Sequence, residues 1–211
     1  MNISVIIPAF NEEGTVGDVV MIAANSSLVQ EVLVISDGST DATAVMAAGA
    51  GARVIELKEN LGKGAAMMVG VQQSKGDILV FLDADLIGFK EIHLLDLITP
   101  LIEGKAEMSV GVFDKGRKVT DFAQFIAPFL SGQRAVKRII INQMSHLDAT
   151  RFGIEMALTK YVHDHDLRME EVELRNLSHV MKEEKLGLWK GFMARMKMYW
   201  EIARYMSGTY N

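Results

Sequence analysis

Two carboxylates separated by one residue, Asp83-Ala84-Asp85, close the apolar run at residues 78–82. Held about 4 Å apart at an effective dielectric near 20, two such charges repel by roughly 4 kcal/mol unless a cation or a proton intervenes. A divalent metal is the natural relief, and a metal held there would grip a diphosphate and stabilise its charge as it departs. The 211 residues contain no cysteine, which removes disulfides and thiolate metal sites and leaves carboxylates, histidines and water as ligands. Such donors favour a hard cation, Mg2+ or Mn2+. Taken alone, an Asp-x-Asp pair more often caps a helix or faces water, so its neighbours decide.

Three further polar clusters stand in the same setting. Pro8-Ala9-Phe10-Asn11-Glu12-Glu13 follows the run at residues 3–7, with Pro8 stiffening the exit and Asn11 placed to cap the next helix. Ser36-Asp37-Gly38-Ser39-Thr40-Asp41 follows the run at 32–35. Asp37 suits hydrogen bonds from a base N–H, and Glu12 those from ribose hydroxyls. Asn60-Leu61-Gly62-Lys63-Gly64 opens a helix with two glycines and a lysine, turning backbone N–H groups and one cation toward an anion without Walker A spacing. Each cluster alone reads as an ordinary strand-to-helix turn; their combination is harder to explain that way.

The elements that must position them are short β-branched runs at 3–7, 32–35, 53–57 and 78–82, separated by amphipathic segments. That alternation is the pattern of βαβ units and a parallel sheet, and runs this apolar read as central strands covered on both faces. Ligands of such sheets bind beyond the carboxyl ends of the strands, which gathers 8–13, 36–41, 59–64 and 83–86 into one place. Later come a helix at 90–102, a strand at 107–113, an apolar segment at 122–130 and a strand at 167–174. A final helix at about 188–206 carries Trp189, Phe192, Met193, Met196, Tyr199, Trp200 and Ala203 at helical spacing. This stripe suits core or homodimer packing, while Lys182, Lys185, Lys190, Arg195 and Lys197 suit anionic lipid headgroups, so peripheral membrane contact stays open.

A hydrophobic content of 49% is ample for one core, and the expected organisation is a single domain over 1–211. It divides into a nucleotide-binding half at 1–86, an acceptor half at 87–187 and a C-terminal helix at 188–211. The net charge of −5 offers no general attraction for nucleic acid. No basic leader precedes the first strand, and no apolar stretch approaches the roughly 20 residues of a membrane span. The expectation is a soluble cytoplasmic protein, with the inner face of the membrane as its other station.

As an ordered set, Pro-Ala-Phe-Asn-Glu-Glu, Ser-Asp-Gly-Ser-Thr-Asp, Gly-Lys-Gly and Asp-Ala-Asp resembles family 2 glycosyltransferases over roughly the first half of the chain. The resemblance implies an α/β architecture of the GT-A type, a mostly parallel nucleotide-binding sheet flanked by helices, with a C-terminal helical extension. It implies a metal-dependent transfer of a hexose from a nucleoside diphosphate sugar, usually a UDP-sugar. Pro8, Ala9, Phe10, Glu12, Asp37, Lys63 and Ala84 would line the donor pocket, and Asp83 and Asp85 would hold Mg2+ or Mn2+. Ser36 departs from the pattern, since many members carry an aspartate there.

The second half is similar to a narrower group that includes the glucosyl-3-phosphoglycerate synthases and the polyprenyl-phosphate sugar transferases. The likeness rests on Gly116-Arg117 with Thr120-Asp121, on Ser131-Gly132-Gln133-Arg134-Ala135 and on His179-Val180-Met181-Lys182. It implies His179 as a third metal ligand, where a lone histidine would otherwise read as structural. It implies a phosphorylated small-molecule or lipid-linked acceptor met by Arg117, Thr120, Gly132 and Arg134, because a guanidinium matches phosphate in two-point hydrogen bonds. One extra residue between Arg117 and Thr120 departs from the phosphoglycerate group.

Glu155 resembles the acidic residue after the acceptor loop and, with Asp85, makes the implied catalytic pair. A general base there would deprotonate an acceptor hydroxyl for in-line, inverting attack. A phosphate acceptor needs no base and the phosphoglycerate synthases retain configuration, so Glu155 as an orienting group, and Asp148 as a second candidate base, both stay open. Two alternatives compete with this reading. A sugar nucleotidyltransferase would carry a Gly-rich basic loop where this chain has Ala9 to Glu13, and a non-catalytic sugar-nucleotide-binding protein would have no need of Asp83 and Asp85.

Overall fold

The computed structural model describes residues 1–113, 131–144 and 154–179. Four strands form where the apolar runs stand: β1 (Ile3–Ala9), β2 (Glu31–Asp37), β3 (Arg53–Leu57) and β4 (Ile78–Phe81). All seven positions of β1 and all four of β4 are buried, as expected of strands covered on both sides. The two-residue period assigns the covers. Val5, Ile7, Val32, Val34 and Val80 pack with α1 (Val16–Asn25), α2 (Thr43–Gly49) and α4 (Glu91–Ile102), whereas Ile6, Leu79 and Phe81 pack with α3 (Lys63–Gln73). Truncating any of these side chains to alanine removes about 2–5 kcal/mol, which is a large part of a domain's net stability.

Beyond the short strand β5 (Leu86–Ile87) and α4, the chain adds β6 (Met108–Phe113), β7 (Arg134–Lys137), α5 (Arg138–Gln143), α6 (Ile154–Asp164), β8 (Met169–Leu174) and β9 (Ser178–His179). The main sheet runs β3-β2-β1-β4-β7-β6-β8, and β5 pairs with β9 in a second, two-stranded sheet. The neighbours β1–β2, β1–β4, β2–β3 and β6–β8 are parallel. Among the described strands of this sheet only β7 is reversed, with Arg134 opposite Phe81 on one side and Val110 on the other. The sheet is therefore mixed but mostly parallel. α5 and α6 join α3 on its second face through Ile140, Ile141, Ile154, Leu158 and Val162.

Met1–Ser178 forms one unit and His179–Asn211 a second. The expected apolar segment at 122–130 and the final helix at 188–206 lie outside the described residues. Among the described residues, no helix is long and apolar enough to cross a membrane. One local expectation is corrected: Asn11 does not cap α1, whose N-cap is Thr15 without a side-chain cap bond. Asn11 instead adopts φ 55° and its Oδ1 accepts the Thr40 N–H at 2.9 Å, because the turn after β2 lies close enough to supply that donor.

Candidate functional site

The site is assembled where β1, β2, β3 and β4 end. The turns after β1 and β2 are stitched together: Glu12 N–H donates to Thr43 Oγ1 at 2.8 Å, Asn11 N–H to Ser39 Oγ at 3.1 Å, and Ala42 N–H to Glu13 Oε2 at 2.8 Å. Pro8 and Ala9 are buried within β1, and Phe10, at its exit, is 46% exposed.

Gly38 is required next. It has φ +70°, and a Cβ there would stand 2.6 Å from the Asn60 nitrogen, so the β2 turn lies flat against the segment leading to α3. The adjacent Asp37 is 3% exposed, and its two oxygens accept the N–H groups of Leu61 and Gly62, each at 2.8 Å. Asp37 thus has a structural task, since both oxygens hold the loop that presents Lys63.

At the end of β4, Asp83 meets groups from two other parts of the chain. Lys63 Nζ lies 2.6 Å from Oδ1, and Gln133 Nε2 donates to Oδ2 at 2.7 Å. Gly132 lies against the same carboxylate, where a Cβ would come within 2.7 Å of Asp83 Cγ and nearer still to both oxygens. The Lys63 ammonium also lies 2.8 Å from Glu155 Oε1, in the first turn of α6. Burial works to lower the lysine's pKa, but the charges and hydrogen bonds of Asp83 and Glu155 outweigh it and hold the group above the usual lysine range. The anion that Lys63 faces is therefore a pair of carboxylates.

Arg134 lies inward. An acceptor phosphate would need its guanidinium in reach, yet the residue is 0% exposed. Nη1 donates to the Glu155 carbonyl at 2.6 Å and to Thr159 Oγ1 at 3.2 Å, and Nη2 donates to the Ser131 carbonyl. Burial pulls its pKa down to about 10 against the opposing pull of Glu155 and Asp83, which leaves it a cation at neutral pH. Its place at the start of β7, between two central strands, turns it inward.

Gln133 is a further site residue, one that its type alone does not announce, inside the Ser131 to Ala135 stretch. Its signal was its place beside Gly132. Ala84 is 3% exposed behind the carboxylates, and Asp85 is half-buried. Arg117, Thr120 and Asp148 lie outside the described residues, as does the side chain of His179. Among the described residues, no three His, Asp or Glu side chains converge as a metal-binding group. Asp83 and Asp85 nonetheless fit Mg2+ or Mn2+ in kind, because such ions are commonly held by one or two carboxylates, with substrate phosphate and water completing the shell.

Residues 4–156 match the family described as Glycosyl transferase family 2. Over 111 residues the chain is 40% identical to the glucosyl-3-phosphoglycerate synthase of Mycolicibacterium paratuberculosis, covering 48% of this chain and 34% of that one. Over 96 residues it is 35% identical to the dodecaprenyl-phosphate galacturonate synthase of Rhizobium johnstonii, covering 41% and 28%. The chain thus spans about a third of the length of these curated relatives. A crystal structure of glucosyl-3-phosphoglycerate synthase from Mycobacterium tuberculosis, in complex with Mn2+, UDP and glucosyl-3-phosphoglycerate, superposes with a TM-score of 0.80 at 26% identity. That match covers 100% of this chain and 81% of the other.

Proposed function

The chain belongs to glycosyl transferase family 2, and on that premise we propose that it transfers a hexose from a UDP-sugar to a phosphorylated acceptor, with Mg2+ or Mn2+ as cofactor. The observation that carries this reading is the meeting of Asp83, Lys63, Glu155 and Gln133 beyond the carboxyl end of β4, where an α/β sheet of this kind holds its ligand. The relatives support the acceptor class, since their names join a sugar to phosphoglycerate in one case and to a polyprenyl phosphate in the other, and the Mycobacterium tuberculosis complex with Mn2+ and UDP supports the donor.

Each residue then has a task. The exposed Phe10 ring offers a stacking face to the base, and Glu12 accepts from the ribose hydroxyls. Asp85 and Asp83, with His179 as the further ligand, hold the metal, which when bound offsets charge on the departing diphosphate. Lys63 supplies a second positive charge beside the diphosphate. Glu155, 2.8 Å from Lys63, accepts the proton of an acceptor hydroxyl or, for an anionic acceptor, orients the sugar. Arg117 and Thr120 bind the acceptor phosphate. A lipid-linked acceptor would further call for the lysines between Lys182 and Lys197 to meet an anionic membrane surface.

Calorimetric titration with UDP, GDP and their hexose conjugates, with and without Mn2+, tests the donor. Binding of UDP that requires Mn2+ is expected, and failure of every nucleotide to bind would refute the reading. Incubation of the preferred donor with 3-phosphoglycerate or with a short polyprenyl phosphate then separates the acceptors, and the anomeric coupling constant of the product gives the stereochemical outcome.

A further inference from the structure

Arg134 breaks two local rules at once. It is a fully buried cation on a central strand, and it points at the first turn of α6, the end of a helix whose dipole disfavours positive charge. A methionine or leucine would fill such a place in the core without either cost. Its immediate surroundings show what the guanidinium gains there. One planar group holds the carbonyl of Ser131, which leads into the Gly132-Gln133 pair against Asp83, and the carbonyl of Glu155, whose carboxylate meets Lys63. Thr159 Oγ1 accepts from the same Nη1 and itself donates to the Glu155 carbonyl at 2.9 Å, closing a small ring around that turn.

We propose that Arg134 is a positioning residue for the transfer reaction, setting the separation of Glu155 from Asp83 by clamping the start of β7 to the start of α6. The inference rests on the reading of the site given above. Because the fork of a guanidinium has fixed geometry, the two carbonyls it bridges are held at a fixed spacing, whereas a lysine at the same place reaches one of them with a single flexible ammonium. Arg134 acts through Glu155 and the Gly132-Gln133 pair, and touches no substrate.

The variant Arg134→Lys keeps the charge and removes the fork. In its crystal structure, the 2.8 Å contact of Lys63 with Glu155 is expected to be lost while the 2.6 Å contact of Lys63 with Asp83 is kept. Its kcat should fall about 100-fold, as a displacement near 1 Å commonly does, with the donor KM and the affinity for UDP with Mn2+ within about threefold of the parent. In a Glu155→Gln background the same substitution should cause little further loss, because residues acting as one unit are not additive. An unchanged Lys63–Glu155 contact, or an equal loss of kcat in both backgrounds, overturns the proposal. If Arg134→Lys does not fold, Arg134→Gln also removes the bridge between the two carbonyls, and an unaltered kcat in that variant overturns the proposal equally. A parent protein that bound no nucleotide would refute the transferase reading alone, since the crystallographic comparison still judges the clamp.

Discussion

Lys63 Nζ lies between Asp83 Oδ1 at 2.6 Å and Glu155 Oε1 at 2.8 Å, so the first residue of α3 bridges carboxylates from the end of β4 and the start of α6. The ammonium thus bridges two anions that would otherwise repel. The bridge is electrostatic and half-open to water, which separates its importance for binding from its importance for stability.

Replacing Lys63 by Met should therefore weaken UDP binding far more than it weakens the fold. The lysine side chain is 43% exposed, so the ion pairs contribute at most about 1 kcal/mol after solvent screening, or about 2–4 °C in Tm. Its folded pKa is raised, so this stabilisation is complete below the unfolded lysine value near 10.4 and fades as pH climbs through the folded value above it. Melting curves of parent and variant should differ by a constant amount from about pH 6 to 9 and begin to approach each other only above about pH 10.5. A fall in Tm much beyond 4 °C with unchanged nucleotide affinity would mark Lys63 as structural.

Gly132→Ala places a methyl group against the Asp83 carboxylate, and the buried strand that follows gives the backbone little room to retreat. Asp83 is expected to rotate away from Lys63 and Gln133, lowering turnover by about 100-fold. Circular dichroism should remain that of the parent. Full activity in this variant would mean that Asp83 is free to move without consequence.

Asp37→Asn keeps the shape but replaces one acceptor oxygen by a donor facing the N–H of Leu61 or Gly62. One buried N–H then loses its partner, at about 1–3 kcal/mol, and Tm should drop by about 2–12 °C. Because the same loop carries Lys63, the affinity for UDP should fall in parallel. Hydrogen exchange at Leu61 and Gly62 provides the local check: protection equal to that of the parent would contradict the assignment.

Asp85→Ala should remove the dependence of UDP binding on Mn2+, with affinity in the presence of the metal lower by about 100-fold or more, since even outer partners of metal ligands cost 10–100-fold. The melting temperature should hardly change, because the half-buried Asp85 lies beyond the last residue of β4 rather than within the core. Retained Mn2+ dependence would move the ligand role elsewhere.

β1, β2 and β4 were legible because they are buried on both faces and so read as unbroken apolar runs, whereas β3, expected as a further central strand, is the edge of the sheet with Arg53 and Glu56 exposed. β1 to β4 stand where Ile3, Val32, Arg53 and Ile78 suggested, and each polar cluster falls at a carboxyl end. β7 was not legible: Ala135 and Val136 are a two-residue apolar core between Arg134 and Lys137, and the strand exists through partners at 78–81 and 108–110 that local pattern does not reveal. The inward turn of Arg134 was hidden for the same reason. An arginine next to a glycine-containing loop resembles a phosphate ligand until the strands on either side of it are known. Lys63, expected to face an anionic ligand, also bridges Asp83 and Glu155, partners far apart in sequence that only tertiary structure brings together.

The single reversed strand has a consequence in time. β1 to β4 use residues 3–81, and their parallel pairings can be completed soon after that stretch leaves the ribosome. Gln133 and Glu155, which give Asp83 and Lys63 their settings, arrive much later in synthesis. A nascent chain can thus hold the parallel part of the sheet well before Asp83 and Lys63 have all their partners, and the emergence of β7 and α6 marks the passage from one to the other.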